Sequence, residues 1–274
     1  MKTAGYSLVH TDDGSCSLYC EEYRELMHSA SGAYEESVLK HVYPSKVLEK
    51  DRDARVLDIG CGMGYNILAL LTESRRRHYR GFITVVSLEK DAGFRDMLDP
   101  IRFKDDRDDI YGIIKRAMDA GEAGNAEFSL RVERGDARDL VPGFEEGMFD
   151  AVFHDPFSPA KNPELWTVEF FKVVHRAMGP DAVLTTYSSA LHIRRALLDA
   201  GFQIGKGPPV GKKREGTLAA KSEIIPLLDE KRIDDIFTEP NGIPYRDWFM
   251  NGSRDEIRER RLREMRVKRG LQAR

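Results

Sequence analysis

The stretch VLDIGCGMGYN, residues 56–66, decides the fold. Its first four residues are apolar except for one acid, which predicts a buried strand, and glycine then recurs at every second position, as Gly60, Gly62 and Gly64. Glycine allows a tight turn and lets a ligand approach the backbone closely. The next residues, NILALLTESRRR, predict a helix whose first N–H groups have no partner inside the helix. A strand, a glycine turn and a helix in this order predict a ligand site at the carboxyl end of the strand.

The rest of the chain repeats this alternation of strands and helices. Five strands are predicted in the segments ARVLDIG, GFITVVSLEK, FSLRVERGD, FDAVFHD and DAVLTTYS, and a closing pair in FQIGKG and GTLAAK. The alternation predicts an α/β protein with a doubly wound, parallel sheet, in which the last strand runs antiparallel. We expect three parts: residues 1–50 as an N-terminal segment packing on the core, 51–228 as a Rossmann-like domain, and 229–274 as a C-terminal extension with a basic helix.

Composition excludes several classes of protein. The chain has 274 residues, of which 41% are hydrophobic and 32% charged, as in a globular domain rather than a disordered one. It has no run of the roughly 20 apolar residues that a membrane helix needs, and its first residues lack the apolar core of a secretory signal. Three cysteines suit a reducing cytoplasm. Cys16 and Cys20 have a spacing seen in zinc sites, but no second pair follows, so we expect reduced thiols and no metal.

Basic residues cluster in three places, although the net charge is -3. Residues 251–274 contain nine Lys or Arg against four acids, and RRRHYR (75–80) and GKKRE (211–215) are two further clusters. Each cluster alone is typical of a solvated surface. Three together indicate a surface that faces phosphates.

Acids follow three successive predicted strands. Asp58 lies two residues before the first glycine, and the third glycine falls one residue earlier than in the dinucleotide fingerprint G-x-G-x-x-G. This loop resembles the S-adenosylmethionine loop of class I methyltransferases; a plain turn between strand and helix is the alternative. Glu89 ends the next strand, where an acid can accept both ribose hydroxyls, and Asp91 is its rival. Asp136, next to Ala137, follows the third strand, where the class I fold places a group that contacts the adenine amine.

The fourth strand ends in an unusual loop, HDPFSPAKNPELW, residues 154–166. Three prolines make this loop stiff, because proline fixes its own backbone angle. Asp155 can orient the N–H bonds of an amine and help to take up its proton while the lone pair attacks a methyl group in line. Phe157 or Trp166 can stack on a flat substrate. The alternative for Trp166 is a place in the core.

These residues resemble a known family, the methyltransferases that finish 5-methylaminomethyl-(2-thio)uridine in tRNA and form the methyltransferase half of the bifunctional MnmC enzymes. The resemblance rests on DPFSPAKNPELWT (155–167), TYSSALHIRRALLDAGFQIGKGPPVGKKRE (186–215), MHSASGAYEESVLKHV (27–42) and, more weakly, GIPYRD (242–247). It implies a class I Rossmann-like methyltransferase. The implied reaction transfers a methyl group from S-adenosylmethionine to the primary amine of 5-aminomethyl-(2-thio)uridine at the tRNA wobble position, in the anticodon loop.

The resemblance also assigns roles to residues of this chain. The cofactor and the reacting amine face Gly60, Gly62, Glu89, Asp136 and Asp155; Tyr34 and Glu36 close over the cofactor; Lys161, Asn162 and Trp166 shape the base pocket; Lys213 and Arg214 meet tRNA phosphates. Two features depart from the family. Pro156 stands where the bifunctional enzymes often have alanine, and no flavin oxidase domain follows, so we expect a separate enzyme to supply the aminomethyl precursor.

Other functions fit parts of the same pattern. A polyamine aminopropyltransferase shares the fold and an acid-proline loop after the fourth strand, although its first loop is usually more glycine-rich and acidic than GCGMG. A methyltransferase that acts on another amine, or an RNA-associated domain that has lost turnover, are further alternatives. We expect the arginine-rich C-terminal segment to form a solvated helix, with a tRNA contact as its alternative role.

Overall fold

The computed structural model describes residues 2–3, 5–11, 15–27, 32–91, 93–209 and 215–272. They form a four-stranded and an eight-stranded sheet. The strands are β1 (Lys2–Thr3), β2 (Tyr6–His10), β3 (Cys16–Cys20), β4 (Glu25–Leu26), β5 (Ala54–Ile59), β6 (Ile83–Glu89), β7 (Glu122–Gly124), β8 (Phe128–Arg134), β9 (Phe149–His154), β10 (Met178–Thr186), β11 (Gln203–Lys206) and β12 (Thr217–Ala220).

Nine α-helical segments lie in the described ranges. They are α1 (Ala33–Ser37), α2 (Tyr43–Ser45), α3 (Tyr65–Arg76), α4 (Arg107–Ala120), α5 (Ala137–Leu140), α6 (Val168–Ala177), α7 (Leu191–Asp199), α8 (Glu230–Thr238) and α9 (Arg254–Gln272). A π-helical segment, Val38–Val42, joins α1 to α2. None of the helices in these ranges combines the length and the apolar character that a bilayer crossing requires.

The large sheet has the order β11-β12-β10-β9-β5-β6-β8-β7. Strands β10, β9, β5, β6 and β8 are mutually parallel, so their carboxyl ends meet at one edge. Strand β12 pairs antiparallel with β10, which confirms the predicted antiparallel last strand. Strand β7, a short antiparallel partner of β8, was not predicted, because three residues give no periodic signal.

Helices cover both faces of this sheet. Neighbouring residues of β5 point to opposite faces, as the pleat of a strand requires. Val56 packs in the core that holds α3 and α4, and Leu57 packs in the core that holds α6 and α7. The fold is the doubly wound α/β arrangement predicted from the alternating strands and helices.

The N-terminal residues form the small antiparallel sheet β1-β2-β3-β4, which the sequence did not predict. Tyr6 and Leu18 of this sheet are buried in the core that also holds α3. The π-helical segment then carries Lys40 and His41 into the interior, where both are buried. Single π turns often mark functional sites, since the extra residue redirects side chains.

The C-terminal helix α9 corrects one prediction. It is a helix, but several of its basic side chains dock on the protein instead of pointing into solvent. Arg260 Nη1 donates to the Arg246 carbonyl at 2.6 Å and Arg261 Nε to the Ile243 carbonyl at 2.6 Å. Ile257 on the same helix is fully buried. Much of the positive charge of α9 therefore holds the segment around residues 237–246 in place.

Candidate active site

A cavity of about 460 Å³ opens at the carboxyl edge of the parallel strands. Its volume lies within the range of sites for small molecules. One wall consists of the loops that follow β5, β6, β8 and β9, as open α/β sheets place their ligands. The opposite wall includes Glu22, Tyr23 and residues 25–27 at the end of the N-terminal sheet, together with Glu36, His41 and Arg254 of α9.

Gly60 brings two of these loops into contact. Its φ of +93° lies in the left-handed region, and a Cβ at this position would sit 2.8 Å from the Asp155 carbonyl oxygen and 3.0 Å from the Pro156 Cα. Any side chain would therefore push the two loops apart. The Asp155 N–H donates to the Ile59 carbonyl at 3.0 Å, which ties the loops together from the other direction.

Asp58 lies beneath the glycine loop rather than in the cavity. It is fully buried and accepts hydrogen bonds from Ser87 Oγ at 2.6 Å and from Asn66 Nδ2 at 3.3 Å. Burial raises the pKa of Asp58 to about 7. Gly64 is also outside the cavity lining: it precedes α3 with a φ of +79° and packs against Ile114. Both predicted cofactor residues therefore support the loop from behind.

Glu89 ends β6 and faces the cavity. Its Oε2 accepts from the Gly62 N–H at 2.8 Å and its Oε1 from the Asp91 N–H at 2.9 Å. A carboxylate has about four acceptor positions, so two remain for a pair of ligand hydroxyls. Burial raises the pKa of Glu89. The rival Asp91 is engaged at one oxygen by the Tyr6 hydroxyl, at 2.7 Å.

Asp136 and Ala137 line the cavity after β8. Asp136 accepts from Arg138 Nη2 at 3.0 Å and from Lys90 Nζ at 2.9 Å. Burial opposes ionisation of Asp136, but Arg138 and Lys90 outweigh it and hold its pKa well below the usual range. Arg138 also donates to Asp247 Oδ2 at 3.1 Å, which connects this wall to the C-terminal part of the chain.

Asp155 stands where the two walls meet. Its Oδ2 accepts from Asn66 Nδ2 at 3.0 Å, and its Oδ1 lies 3.6 Å from His41 Nε2. The other ring nitrogen of His41 is 2.9 Å from Thr185 Oγ1. Sequence reasoning missed His41 and Asn66. The only local signal was the place of Asn66 in the first turn after the glycines, and nothing local marked the histidine.

The aromatic residues of the proline-rich loop have different places. Trp166 is fully buried, its Nε1 donates to the Phe157 carbonyl at 2.9 Å, and its ring meets His154 edge-on at 4.5 Å. The structure therefore corrects the prediction that Trp166 shapes a base pocket: it braces the loop from the core. Phe157 lines the cavity and stacks on Tyr23, with 4.2 Å between the ring centroids. The Tyr187 hydroxyl donates to the Pro156 carbonyl at 2.9 Å.

The remaining predicted residues divide into three groups. Glu36 and Asn162 line the cavity. Tyr34 and Lys161 lie outside its lining, and the Tyr34 hydroxyl donates instead to Glu73 Oε1 at 3.1 Å, with its ring near Arg107. Tyr34 is thus turned away from any cofactor in the cavity. Lys213 and Arg214 lie outside the described residues.

Three carboxylates line the cavity around Tyr187. They belong to Asp155, Glu36 and Glu25, a residue that sequence reasoning missed. Burial foremost, and then these three charges, raise the pKa of the Tyr187 phenol well above its usual value, so the phenol stays protonated. Glu25 also accepts from Ser158 Oγ at 2.7 Å, which fixes it to the loop after β9. Lys40 Nζ lies 3.5 Å from Glu36 Oε1 and offsets that charge, so Asp155 and Glu25 give this end of the cavity its preference for a positively charged group.

No cluster of three or more His, Cys, Asp or Glu side chains able to hold a metal occurs in the part of the chain that the structure describes. The three cysteines are free thiols.

The fold and the cavity define a class I S-adenosyl-L-methionine-dependent methyltransferase. Residues 109–222 match a family described as S-adenosyl-L-methionine-dependent methyltransferase. The crystal structure of MnmC2 from Aquifex aeolicus is similar to this chain, with 31% identity and a TM-score of 0.85 over 96% of this chain and 86% of that one. The chain belongs to the MnmC methyltransferase family.

Two curated relatives are also similar to this chain. An uncharacterised protein of Methanocaldococcus jannaschii is 33% identical over 264 residues, which cover 93% of this chain and 71% of that protein. The tRNA 5-methylaminomethyl-2-thiouridine biosynthesis bifunctional protein MnmC of Caulobacter vibrioides is 31% identical over 249 residues, or 82% of this chain. This chain spans only 40% of the length of that bifunctional protein.

The cofactor of this family is S-adenosylmethionine, and the residues of the cavity fit it. Glu89 has two acceptor positions left for ribose hydroxyls. Because Gly60 and Gly62 have no side chain, their backbone atoms form part of the cavity surface. The volume of about 460 Å³ suits a nucleoside joined to an amino acid.

Proposed function

We propose that this chain methylates the primary amine of 5-aminomethyl-(2-thio)uridine at the wobble position of tRNA, converting it to 5-methylaminomethyl-(2-thio)uridine. The acidic end of the cavity, formed by Asp155, Glu36 and Glu25, is the observation that carries the proposal. The names of the MnmC relatives support the choice of tRNA. The chain spans 40% or less of the length of these bifunctional proteins.

The cofactor half of the cavity binds and orients. When bound, S-adenosylmethionine supplies a methyl carbon on a sulfonium, so a new nitrogen–carbon bond forms as the carbon–sulfur bond breaks and one amine proton leaves. Glu89 is proposed to accept the ribose hydroxyls, and Asp136 with Ala137 to face the adenine. Asp136 is held ionised by Arg138 and Lys90, so it acts as an acceptor.

The acidic half selects and deprotonates the amine. A primary amine is largely an ammonium ion at neutral pH, and Asp155 and Glu25, whose charges Lys40 does not offset as it does that of Glu36, are proposed to attract it to the end of the cavity near Tyr187. Transfer requires a free lone pair on nitrogen, so a proton must be accepted first. Asp155 is proposed as the acceptor, since Asn66 and His41 hold its two oxygens in a fixed orientation.

The uracil ring is proposed to lie against Phe157 and Asn162, which line the cavity beside Asp155. Tyr23 backs Phe157 in a stacked pair, so the ring is held in place before any base arrives. Lys213 and Arg214 are proposed to contact tRNA phosphates, and their removal should weaken binding in a salt-dependent way.

Mass spectrometry of wobble nucleosides tests the proposal. The protein is incubated with S-adenosylmethionine and tRNA that carries 5-aminomethyluridine or its 2-thio form, and a mass gain of one methyl group on that nucleoside is expected. Parallel reactions contain decarboxylated S-adenosylmethionine and a free polyamine. Aminopropyl transfer to the polyamine, without methyl transfer to tRNA, would replace the proposal with the aminopropyltransferase alternative.

A further inference from the structure

Two large aromatic side chains project from the turn between residues 247 and 252. Trp248 is 56% exposed and Phe249 is 84% exposed, the largest exposure among the large hydrophobic residues described. Adjacent exposed aromatics on an otherwise well-packed domain mark an interaction surface more often than chance exposure. We call this pair, together with Arg260, the aromatic platform.

The turn that carries the aromatic platform is tightly anchored. Met250 has a φ of +53°, which is unfavourable for a residue with a side chain, and its N–H donates to the Asp247 carbonyl at 2.9 Å. The Asp247 N–H donates to Glu169 Oε2 at 2.7 Å, and Arg138 donates to the Asp247 side chain. The backbone that carries the exposed rings is therefore held in place before binding, which reduces the loss of backbone freedom.

Arg260 lies against one face of the Trp248 ring, with its guanidinium carbon 4.4 Å from the ring centroid. The same guanidinium donates to the Arg246 carbonyl, so the stack does not depend on a mobile side chain. The exposure of Trp248 leaves its other face open to solvent. An indole backed by a cation offers a flat surface on which an unpaired base stacks well.

The charge next to the aromatic platform suits a polyanion. Helix α9 contains eight Lys or Arg against four acids, in a chain of net charge -3. Several of these cations hold backbone carbonyls, but Arg263 and Arg266 are exposed and have no partner among the described residues. These two are available to phosphates.

The aromatic platform borders the methyl-transfer cavity. Arg138 bonds both Asp136, in the cavity wall, and Asp247, at the start of the turn. Arg254, at the start of α9, lines the cavity itself and lies 4.6 Å from the ring centroid of Tyr23. Asp247, the residue before Trp248, is therefore one side chain away from the cavity wall, through Arg138.

We propose that the aromatic platform binds single-stranded RNA by stacking the unpaired bases that flank the nucleotide in the cavity. This inference rests on the proposed function, because it takes the reacting base to be part of an RNA loop. Single-stranded RNA explains three features together: its bases would stack on the open face of Trp248 and on the exposed Phe249, and its phosphates would meet the unpaired Arg263 and Arg266 of α9.

Binding of RNA to Trp248→Ala and Phe249→Ala variants tests this proposal. The probes are a fluorescently labelled anticodon stem-loop and a fully paired RNA duplex of the same length, measured by anisotropy. Stacking of one base stabilises a complex enough for roughly a fivefold to hundredfold change in affinity. We expect each variant to weaken stem-loop binding within that range and to leave duplex binding nearly unchanged, while Trp248→Phe retains most of the affinity.

Phe237→Ala is the matched control. Phe237 is 43% exposed and also packs against an arginine, with Arg195 4.0 Å from its ring centroid. It lies beside Lys268, eight residues along α9 from Arg260, or about 12 Å of helix. The Phe237→Ala variant should therefore bind the stem-loop with the affinity of the wild type.

Two further measurements separate the outcomes. Titration with S-adenosylmethionine should give the same affinity in all four variants. The proposal is overturned if Trp248→Ala and Phe249→Ala bind the stem-loop as tightly as the wild type does. So would a dimer, seen by sedimentation, that these two variants convert to monomer with no loss of RNA affinity, because a second copy would then cover the surface. If the wild type binds the stem-loop through Trp248 but methylates no tRNA, the proposed reaction fails while the platform stands.

Discussion

The two walls of the cavity differ in how the chain builds them. The wall formed by Gly60, Glu89, Asp136 and Asp155 comes from four loops at the ends of parallel strands, and each residue lies within a few positions of a strand end. The opposite wall comes from residues distant in sequence, including Glu25, His41 and Arg254. We call the first the sheet wall, which carries the acceptors proposed for the cofactor, and the second the appended wall, which carries residues proposed to select the second substrate.

Asp155→Asn is expected to have the largest effect, because Asp155 lies where the two walls meet. Loss of the proton acceptor should lower the turnover of modified tRNA by about a hundredfold or more. Affinity for S-adenosylmethionine, measured by isothermal titration, should change little. Asp181→Asn, at the opposite edge of the sheet, is the control and should keep full turnover. Unchanged turnover in Asp155→Asn would remove this residue from the chemistry.

Glu89→Gln tests the cofactor side of the sheet wall. Glutamine keeps the shape but loses the charge that strengthens hydrogen bonds from ribose, so the dissociation constant for S-adenosylmethionine should rise roughly tenfold to a hundredfold. Asp91→Asn should cause a smaller rise, since Tyr6 already occupies one of its oxygens. If Asp91→Asn proves the more damaging change, the ribose partner is Asp91 and the appended sheet, through Tyr6, takes part in cofactor binding.

The buried His154, at the end of β9, makes the free energy of unfolding of the protein depend on pH. Burial lowers its pKa to about 3, whereas a histidine in the unfolded chain has a pKa near 6.5. Between these values the unfolded state binds more protons, so the free energy of unfolding falls as the pH drops below 6.5. This one group accounts for about 2 kcal/mol between pH 7 and pH 5.

The variant His154→Phe should remove that part of the pH dependence, as denaturant unfolding at pH 7 and pH 5 can measure. Neither ring nitrogen of His154 has a side-chain partner in the described structure, so phenylalanine loses at most a weak contact with the Leu165 backbone. The exposed His10, changed to Gln, is the control. An equal loss of stability in wild type and His154→Phe would place the acid sensitivity elsewhere.

Tyr23→Ala is expected to have the smallest effect and tests the appended wall. A stacked aromatic pair contributes about 0.5–1.5 kcal/mol, so loss of the Tyr23–Phe157 stack should raise the KM for tRNA by roughly twofold to tenfold. Turnover at saturating tRNA should remain close to that of the wild type. Tyr19→Ala, in the same small sheet but outside the cavity lining, should leave the KM unchanged. Equal effects from both variants would reduce the role of Tyr23 to support of the sheet.

Local sequence signals predicted the sheet wall. The order of strands and helices fixed the doubly wound sheet and its antiparallel last strand, because hydrophobic periodicity and glycine stops act over a few residues. The positions of the carboxylates at the strand ends were predicted from the same order. Asp58 shows the limit of this reasoning: it has the expected place in the sequence, but its side chain points below the loop toward Ser87.

Features that depend on distant contacts were not predictable. The sequence left Trp166 open between a base and the core, and only the fold supplies the carbonyl and rings that bury it. The sequence of α9 predicted a solvated helix, because the carbonyl groups that bind its arginines lie in another segment. His41 reaches Asp155 through a π-helical turn, which has no recognised local pattern.

The contact at Gly60 has a consequence for how such an enzyme can diverge. Because its α-carbon rests against the backbone of Asp155 and Pro156, the glycine loop proposed to hold the methyl donor packs directly on the loop proposed to receive the amine. Related enzymes with different amine substrates are therefore expected to differ mainly in the residues of the appended wall. A substitution that moves the backbone of Asp155 or Pro156 is expected to displace the glycine loop as well, because no space separates the two at Gly60.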